Sequence, residues 1–289
     1  MLAQSLFDLP FVAQLNPVAT TAVTSASLWA DRVVVNGGTR PTDSTITAMN
    51  TFYNSLVSSG IDGKMISVCC FVPDNLTASI TPLIKKFGND PWTNSGFGFL
   101  ESNVSSNGLT DIHSASYLKT GVNPVACYAN ADDAGFTIYS KSPTHFSNAR
   151  LVAIDIGSNF AGLYMDGTHV DFAAYSNNGW SLEGIITGSV NDFIFSSVSK
   201  TNINSLNIYQ ANSSIGFVNL ATGSTGPTTR PNLDLWLNCE NINNSATNFP
   251  VQECIYSFTA IHNGLTDTET QNFYNAVQTL RISLGGGYS

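Results

Sequence analysis

Positive charge is scarce in this sequence. Eleven Lys and Arg residues stand against 20 Asp and Glu, a formal net charge of −9 over 289 residues, and the only adjacent basic pair is Lys85-Lys86. No stripe of cations is available to neutralise a row of phosphates, which excludes nucleic acid and an anionic bilayer surface as expected partners. Charge of either sign is thin, at 11% of residues, where ordinary soluble chains carry about 25%. Asn, Ser, Thr and Gly take its place, the profile of an exposed β-protein with a neutral polar surface.

Cysteine is also sparse. The five residues Cys69, Cys70, Cys127, Cys239 and Cys254 are odd in number and show no CxxC spacing, against a zinc site or a full disulfide framework. They are expected as small buried apolar residues, and the neighbours Cys69 and Cys70 must face opposite sides of any strand. One bridge, between Cys239 and Cys254, stays open as an alternative. No apolar run reaches the ~18 residues of a membrane-spanning helix. The opening MLAQSLFDLPFVAQL has no basic residue before its apolar stretch and is broken by Asp8 and Pro10, unlike a cleaved signal peptide. A role outside the cell would then be reached by assembly and lysis.

The motifs of catalysis are missing as well. His113, His145, His169 and His262 form neither HxH nor HExxH, and there is no GxSxG elbow, phosphate-binding loop or dinucleotide fingerprint. A retaining glycosidase needs two carboxylates about 5 Å apart, which sandwich glucanases set on one strand as Glu-x-Asp-x-x-Glu, because alternate side chains share a face. Glu101, Glu183, Glu240, Glu253 and Glu269 begin no such cluster. The chain is therefore not expected to be an enzyme.

What is present is periodicity. Residues 1–28 mix short apolar clusters with Ala, Thr and Ser around Pro10 and Pro17, and read as an extended arm whose apolar residues Phe7, Phe11 and Leu15 need a partner surface. Residues 29–289 read as one domain. Within it Ile46, Met49, Phe52, Tyr53, Leu56 and Val57 recur at helical spacing near 44–59, with Asp43 or Ser44 as cap and Gly60 as stop. From Lys64 onward the pattern turns to short alternating segments, MISVCCFV, TIYS, RLVAIDIG, AGLYM, HVDFAAYS, GIITGSV, DFIFSSVS, SLNIYQ, IGFVNL, LDLWLN and ECIYSFTAI. Asp166-Gly167 suits a hairpin turn, and a short helix near 77–87 is limited by Pro82. Turn residues at roughly ten-residue intervals, without intervening helices, predict an all-β antiparallel sandwich. A closing helix is predicted over 267–284, with Thr266 and Glu269 at capping-box spacing and Phe273, Val277, Leu280 and Leu284 on one face.

Two stretches resemble bacteriophage virion proteins and related proteins with laminin-G-like domains. The first runs through VVVNGGTRPTDSTI, KMISVCCFVPDN, PLIKKFG and NGLTDIHSASYLKTGVNP; the second is the closing LDLWLN to RISLG segment. Together they cover residues 29 to 285. The resemblance implies a concanavalin-A-like (laminin-G-like) jelly-roll in a fibre, tail or capsid-decorating subunit on the virion surface. Its arm would dock to other virion proteins or sister subunits. A homo-oligomer, for a fibre a trimer, is the implied assembly, with host surface glycan as the implied ligand. Where such proteins carry an arginine before a Ser/Thr-rich hairpin, this chain has Ser199-Lys200-Thr201.

The resemblance also implies where ligands would bind. No cofactor is expected apart from calcium, which many laminin-G-like sandwiches hold at a loop rim. Asp132, Asp133 and Asn130 offer hard oxygen ligands here, with Asp155 and Asp166 as alternatives. Glycan contact needs an exposed aromatic beside amide or carboxylate groups. Trp180 with Asn178 in NNGWSLEG, and Trp92 in NDPWTNSG, lie in such polar segments, whereas Trp236 in LDLWLN reads as a buried strand residue. Asn75, Asn103, Asn212 and Asn243 begin N-x-S/T triplets, which matter only in a eukaryotic secretory route.

Overall fold

A computed structural model describes residues 25–111, 115–129, 132–141, 151–154, 160–166, 169–176, 182–185, 192–223, 230–247 and 254–286. Its helices are α1 (Ser25–Val35), α2 (Asp43–Ser58), α3 (Leu76–Ile80), α4 (Pro124–Cys127) and α5 (Asp267–Ser283). The first strands are β1 (Met65–Cys69), β2 (Ile84–Lys85), β3 (Thr93–Gly96), β4 (Val104–Ser105), β5 (Gly108–Asp111) and β6 (Ser116–Lys119). They are followed by β7 (Ala134–Lys141), β8 (Leu151–Ile154), β9 (Phe160–Asp166), β10 (His169–Ser176), β11 (Leu182–Ile185) and β12 (Phe193–Asn202). The last are β13 (Ser205–Asn212), β14 (Gly216–Gly223), β15 (Trp236–Leu237), β16 (Glu240–Ile242), β17 (Ser245–Thr247) and β18 (Cys254–His262).

The strands form two sheets. Sheet A runs β14-β13-β12-β7-β18-β1-β2 with the β4–β5 hairpin on β18, and sheet B runs β11-β10-β9-β8-β15-β6-β3 with the β16–β17 hairpin beside β8. Among the described strands, pairing is antiparallel apart from β16 on β8, so the expected antiparallel sandwich is what forms. The Asp166 to His169 pairing closes β9 and β10 as a hairpin where the Asp-Gly signal placed one.

Alternation along the strands creates two cores. Between the sheets, Ile66, Cys69, Phe136, Ile138, Val198 and Ile208 of sheet A meet Leu118, Ala161, Leu163 and Leu237 of sheet B. On the outer side of sheet A, Val68, Cys70, Tyr139, Phe195, Phe258 and Ala260 pack against α1, α2 and α5. Cys69 and Cys70 thus enter different cores, as period two requires. All five thiols are free, so Cys239 and Cys254 are unbridged. Burial pushes the Cys70 thiol up, and the half-buried Cys127 thiol up to about 12.

The long strand β18 needs a bulge to serve both cores. Its register shifts between Tyr256 and Phe258, so Cys254 and Tyr256 point between the sheets whereas Phe258 and Ala260 point to the helices. One extra residue, Ser257, reverses the parity.

The helices correct several sequence expectations. The extended arm lies outside the described residues as far as 24, and residues 25–28 are instead the first turn of α1. Ala26, Trp29, Ala30 and Val33 are buried, the i, i+3, i+4, i+7 pattern of a packed helix face, and Trp29 Nε1 donates to Thr81 O at 2.9 Å. In α2 the cap is Thr42, whose hydroxyl accepts from Thr45 N, rather than Asp43 or Ser44. Its Met49, Phe52 and Leu56 are buried, but Val57 is half exposed. The short helix ends at Ile80, before Pro82.

The closing helix α5 has the expected capping box. Thr266 Oγ1 accepts from Glu269 N, while Glu269 Oε2 accepts from Thr266 N at 2.8 Å and from Lys64 Nζ at 2.7 Å. Replacing Thr266 by Ala orphans a helix N–H, so the Thr266→Ala protein is expected to lose about 1 kcal/mol. Urea denaturation checks this; an unchanged midpoint would mean the cap contributes nothing.

Candidate functional site

The helices cover sheet A, and no described helix covers the outer face of sheet B. At the β15-β6-β3 end of that face the register aligns Trp236 with Lys119 and Lys119 with Thr93. One step along, Tyr117 pairs with Ser95. Paired residues share a face and so do residues two apart, which brings Tyr117, Lys119, Trp236, Thr93 and Ser95 together. Leu118 and Leu237, the intervening residues, point into the core.

The side chains interact closely. The Tyr117 and Trp236 rings stack with centroids 5.2 Å apart and planes 27° from parallel. Lys119 Nζ lies 4.6 Å from the Trp236 ring centroid and 5.9 Å from that of Tyr117, within range of cation–π attraction to both. Trp236 is only 4% exposed and forms the floor, as its strand pattern predicts. Tyr117 and Lys119 are half-buried and Thr93 is exposed.

Electrostatics follow from this crowding. Burial raises the Tyr117 hydroxyl above its ordinary value, while a hydrogen bond with Ser95 opposes the shift. Burial also raises the Asp234 carboxyl, with Lys119 pulling the other way.

The β15–β6 register is held by side chains from both segments. Thr120 Oγ1 donates to Leu235 O at 2.6 Å, and Leu235 N donates to Val122 O at 2.9 Å. Asn238, with φ +72°, turns its amide inward to donate to Asp111 Oδ2 and Ser116 O, both at 2.6 Å. The stack therefore rests on a rigid base. Polar groups in a buried network are held when fully satisfied.

Of the residues singled out from the sequence, Trp92, Asp132 and Asp133 are placed elsewhere. Trp92 is fully buried, not an exposed platform: its Nε1 donates to Ser67 Oγ at 3.3 Å and its ring meets Phe71 edge-on. Of its polar neighbours, Thr93 is exposed, whereas Asp90 accepts from Arg32 and Asn36. Trp180, Asn178 and Asn130 lie outside the described residues, as do Phe7, Phe11, Leu15 and Asp155; of Asp166 only the backbone pairing is described.

The loop acids make contacts within the protein. Asp132 Oδ1 is 2.7 Å from Nζ of the fully buried Lys200. Asp133 accepts from Asn263 Nδ2 and Gly264 N, both at 2.7 Å. Of the residues of the calcium expectation, Asp132 thus meets a buried ammonium and Asp133 two N–H donors, while Asn130 lies outside the described residues. Among the described residues no three His, Cys, Asp or Glu side chains converge.

Two hollows on the helical side offer less. One is lined by Ser55, Ser58, Ser59, Asn272, Asn275 and Thr279, yet the Ser55, Ser58 and Thr279 hydroxyls already donate within their own helices. The other holds Thr42, Thr45 and Asp74, where Asp74 accepts from Thr42 N and Thr45 Oγ1. Neither presents an aromatic face. The Tyr117–Lys119 pair escaped sequence reading because SYLK is short; its one signal was the i, i+2 spacing.

Among the described residues, no helix is long and apolar enough to cross a membrane. No family model matches the chain, and no curated protein matches its sequence. Among solved structures, the botulinum neurotoxin serotype D binding domain is 8% identical, with 75% of this chain and 52% of that one covered and a TM-score of 0.48. The CBM40 of the Ruminococcus gnavus IT-sialidase is 10% identical over 48% of this chain and 81% of that one, with a TM-score of 0.35. A protein of unknown function from Shewanella oneidensis MR-1 is 13% identical over 54% and 68%, with a TM-score of 0.34. The matched region spans about half the length of the neurotoxin domain, at 52%, and with TM-scores below 0.5 these likenesses carry no functional weight.

Proposed function

We propose that this chain is a non-catalytic adhesive domain, a concanavalin-A-like (laminin-G-like) jelly-roll that binds carbohydrate through the helix-free face of sheet B. The observation that carries the reading is the Tyr117–Trp236 stack beneath Lys119. A sugar ring has an apolar face of C–H groups and a polar rim of hydroxyls. An aromatic face with donors and acceptors at its edge matches both. Here Tyr117 supplies the face, Lys119 the donor, and Ser95, Thr93 and Asp234 the hydroxyl and carboxyl partners.

Two of the glutamates are committed to structural contacts. Glu101 Oε2 accepts from Leu76 N and Glu269 is tied to Lys64 and Thr266. The virion-surface setting, with a homo-oligomer docked through residues 1–28, rests on the sequence resemblance and on the apolar character of that segment.

A glycan array probed with the whole chain and with Tyr117→Ala tests the binding reading. Specific retention by the unaltered chain, falling about tenfold in Tyr117→Ala, is expected, since loss of one stacking face is worth about 1 kcal/mol or more. Matching urea midpoints would show that both proteins are folded. Retention of no glycan, or equal retention by both, overturns the proposal.

A further inference from the structure

We infer that the sugar taken by this face carries an isolated carboxylate, as a uronic acid does, and that Lys119 and Thr93 are the groups that receive it; the inference rests on the carbohydrate reading above. Several cations of this chain are occupied by its own oxygens: Arg32, Lys64 and Lys200 meet carboxylates, and Arg281 meets carbonyls. Lys119 is not. Among the described residues its ammonium forms no ion pair and donates to no oxygen, and its Nζ lies over the Trp236 and Tyr117 rings instead. Asp234 feels the charge of Lys119 without forming an ion pair with it.

An ammonium has three N–H donors and accepts nothing. Ring faces attract its charge and hold it in place, but they supply no oxygen. An anionic oxygen brought by a ligand therefore gains a charge-assisted hydrogen bond at a group that is already positioned.

Thr93 adds a second donor. It is the partner of Lys119 across the β3–β6 ladder, and paired side chains share a face with Cβ atoms about 5 Å apart. Asn89 Nδ2 donates to Thr93 Oγ1 and to Lys119 O, both at 3.2 Å. The exposed Thr93 hydroxyl thus receives one hydrogen bond and, among the described residues, gives none, so its proton is left for an acceptor. A sugar hydroxyl both gives and takes, whereas a carboxylate only takes, at two oxygens. Two donors on paired residues match the carboxylate.

Charge narrows the class further. A polyanion is repelled by the net charge of −9, while charges beyond the screening length of about 8 Å matter little at physiological salt. One local ammonium therefore selects one local carboxylate rather than a row of them.

Calorimetry on the full chain with three forms of one oligosaccharide tests this: a neutral chain bearing one glucuronic acid, its methyl ester and its carboxyl-reduced counterpart. The acid is expected to bind about tenfold more tightly than either neutral form. Lys119→Gln should erase that preference, Thr93→Val should reduce it, and Lys119→Arg, which keeps the charge, should retain it; matching urea midpoints would show that each variant is folded. Equal or tighter binding of the neutral forms, retention of neutral glycans alone on the array, or a preference that survives Lys119→Gln overturns this inference and leaves the carbohydrate reading standing. No binding of any glycan overturns both.

Discussion

Replacing Arg281 by methionine is expected to destabilise the protein by about 1–3 kcal/mol for each buried carbonyl left unpaired, a large share of the ~5–15 kcal/mol that holds a typical domain folded. Arg281 is fully buried on α5, among apolar side chains. Its guanidinium donates to Cys70 O and Ser257 O at 3.0 Å, to Phe71 O at 3.4 Å and to Ser106 O at 2.6 Å. These carbonyls belong to the places where regular pairing fails: the end of β1, where Phe71 has φ +39°, the β18 bulge at Ser257, and the β4–β5 turn. One side chain closes three backbone irregularities.

Burial pulls the guanidinium down to about 10, still charged at neutral pH, so the desolvation cost of the ion is already borne by the folded state. Each hydrogen bond to a charged donor contributes about 1.5–3 kcal/mol, whereas the ion's desolvation costs several. Methionine fills similar volume but leaves the buried carbonyls of Cys70, Phe71 and Ser257 without this donor. Urea denaturation of Arg281→Met measures the effect. A midpoint equal to that of the unaltered protein would show that the carbonyls find other donors and that the clamp is dispensable.

The second large effect is on acid stability. His262 is fully buried beneath α5, its ring edge-on to Phe273. Its Nδ1 meets Asn263 O at 2.7 Å and its Nε2 meets Thr137 Oγ1 at 2.9 Å, which in turn is 2.7 Å from Ser197 Oγ. A carbonyl can only accept, so Nδ1 carries the proton and Nε2 is left to accept from Thr137. Burial draws the imidazole down from 6.5 to about 4, with Lys64 adding to the fall and Asn263, Asp133 and Glu269 opposing it.

The sign follows directly. Between pH 6.5 and 4 the unfolded chain binds a proton at this residue that the folded chain refuses, so stability is fully present above 6.5 and is lost as pH falls to about 4. The loss is about 3 kcal/mol. Glu269, held below its ordinary value by Lys64 and Thr266, loses its contribution in the same direction at lower pH. His262→Gln, which keeps an acceptor near Thr137 and does not titrate, should show a flatter stability profile between pH 7 and 4. Parallel profiles for the two proteins would refute the assignment.

Much of this architecture was legible from pattern. The alternation of DFIFSSVS, SLNIYQ and ECIYSFTAI is a property of which residues repel water, and it yields strands wherever they pair. The Thr266 and Glu269 spacing marks the start of α5 because a helix leaves its first N–H groups without partners. The helix α1 was hidden by small residues and by the run Val33-Val34-Val35, although Ala26, Trp29, Ala30 and Val33 carried its period. Trp92 misled because polar neighbours in sequence say little about a side chain that points the other way.

Local sequence alone determined the all-β class, the hairpin at Asp166, the closing helix and the opposite facing of Cys69 and Cys70, since each depends on residues within a few positions of one another. Only the tertiary structure decided the rest. The parity switch at Ser257, the Arg281 clamp, the Lys200–Asp132 pair and the Tyr117–Trp236 stack each join segments remote in the chain. Their physical basis is strand register, and register is set by the packing of two whole cores rather than by any single strand.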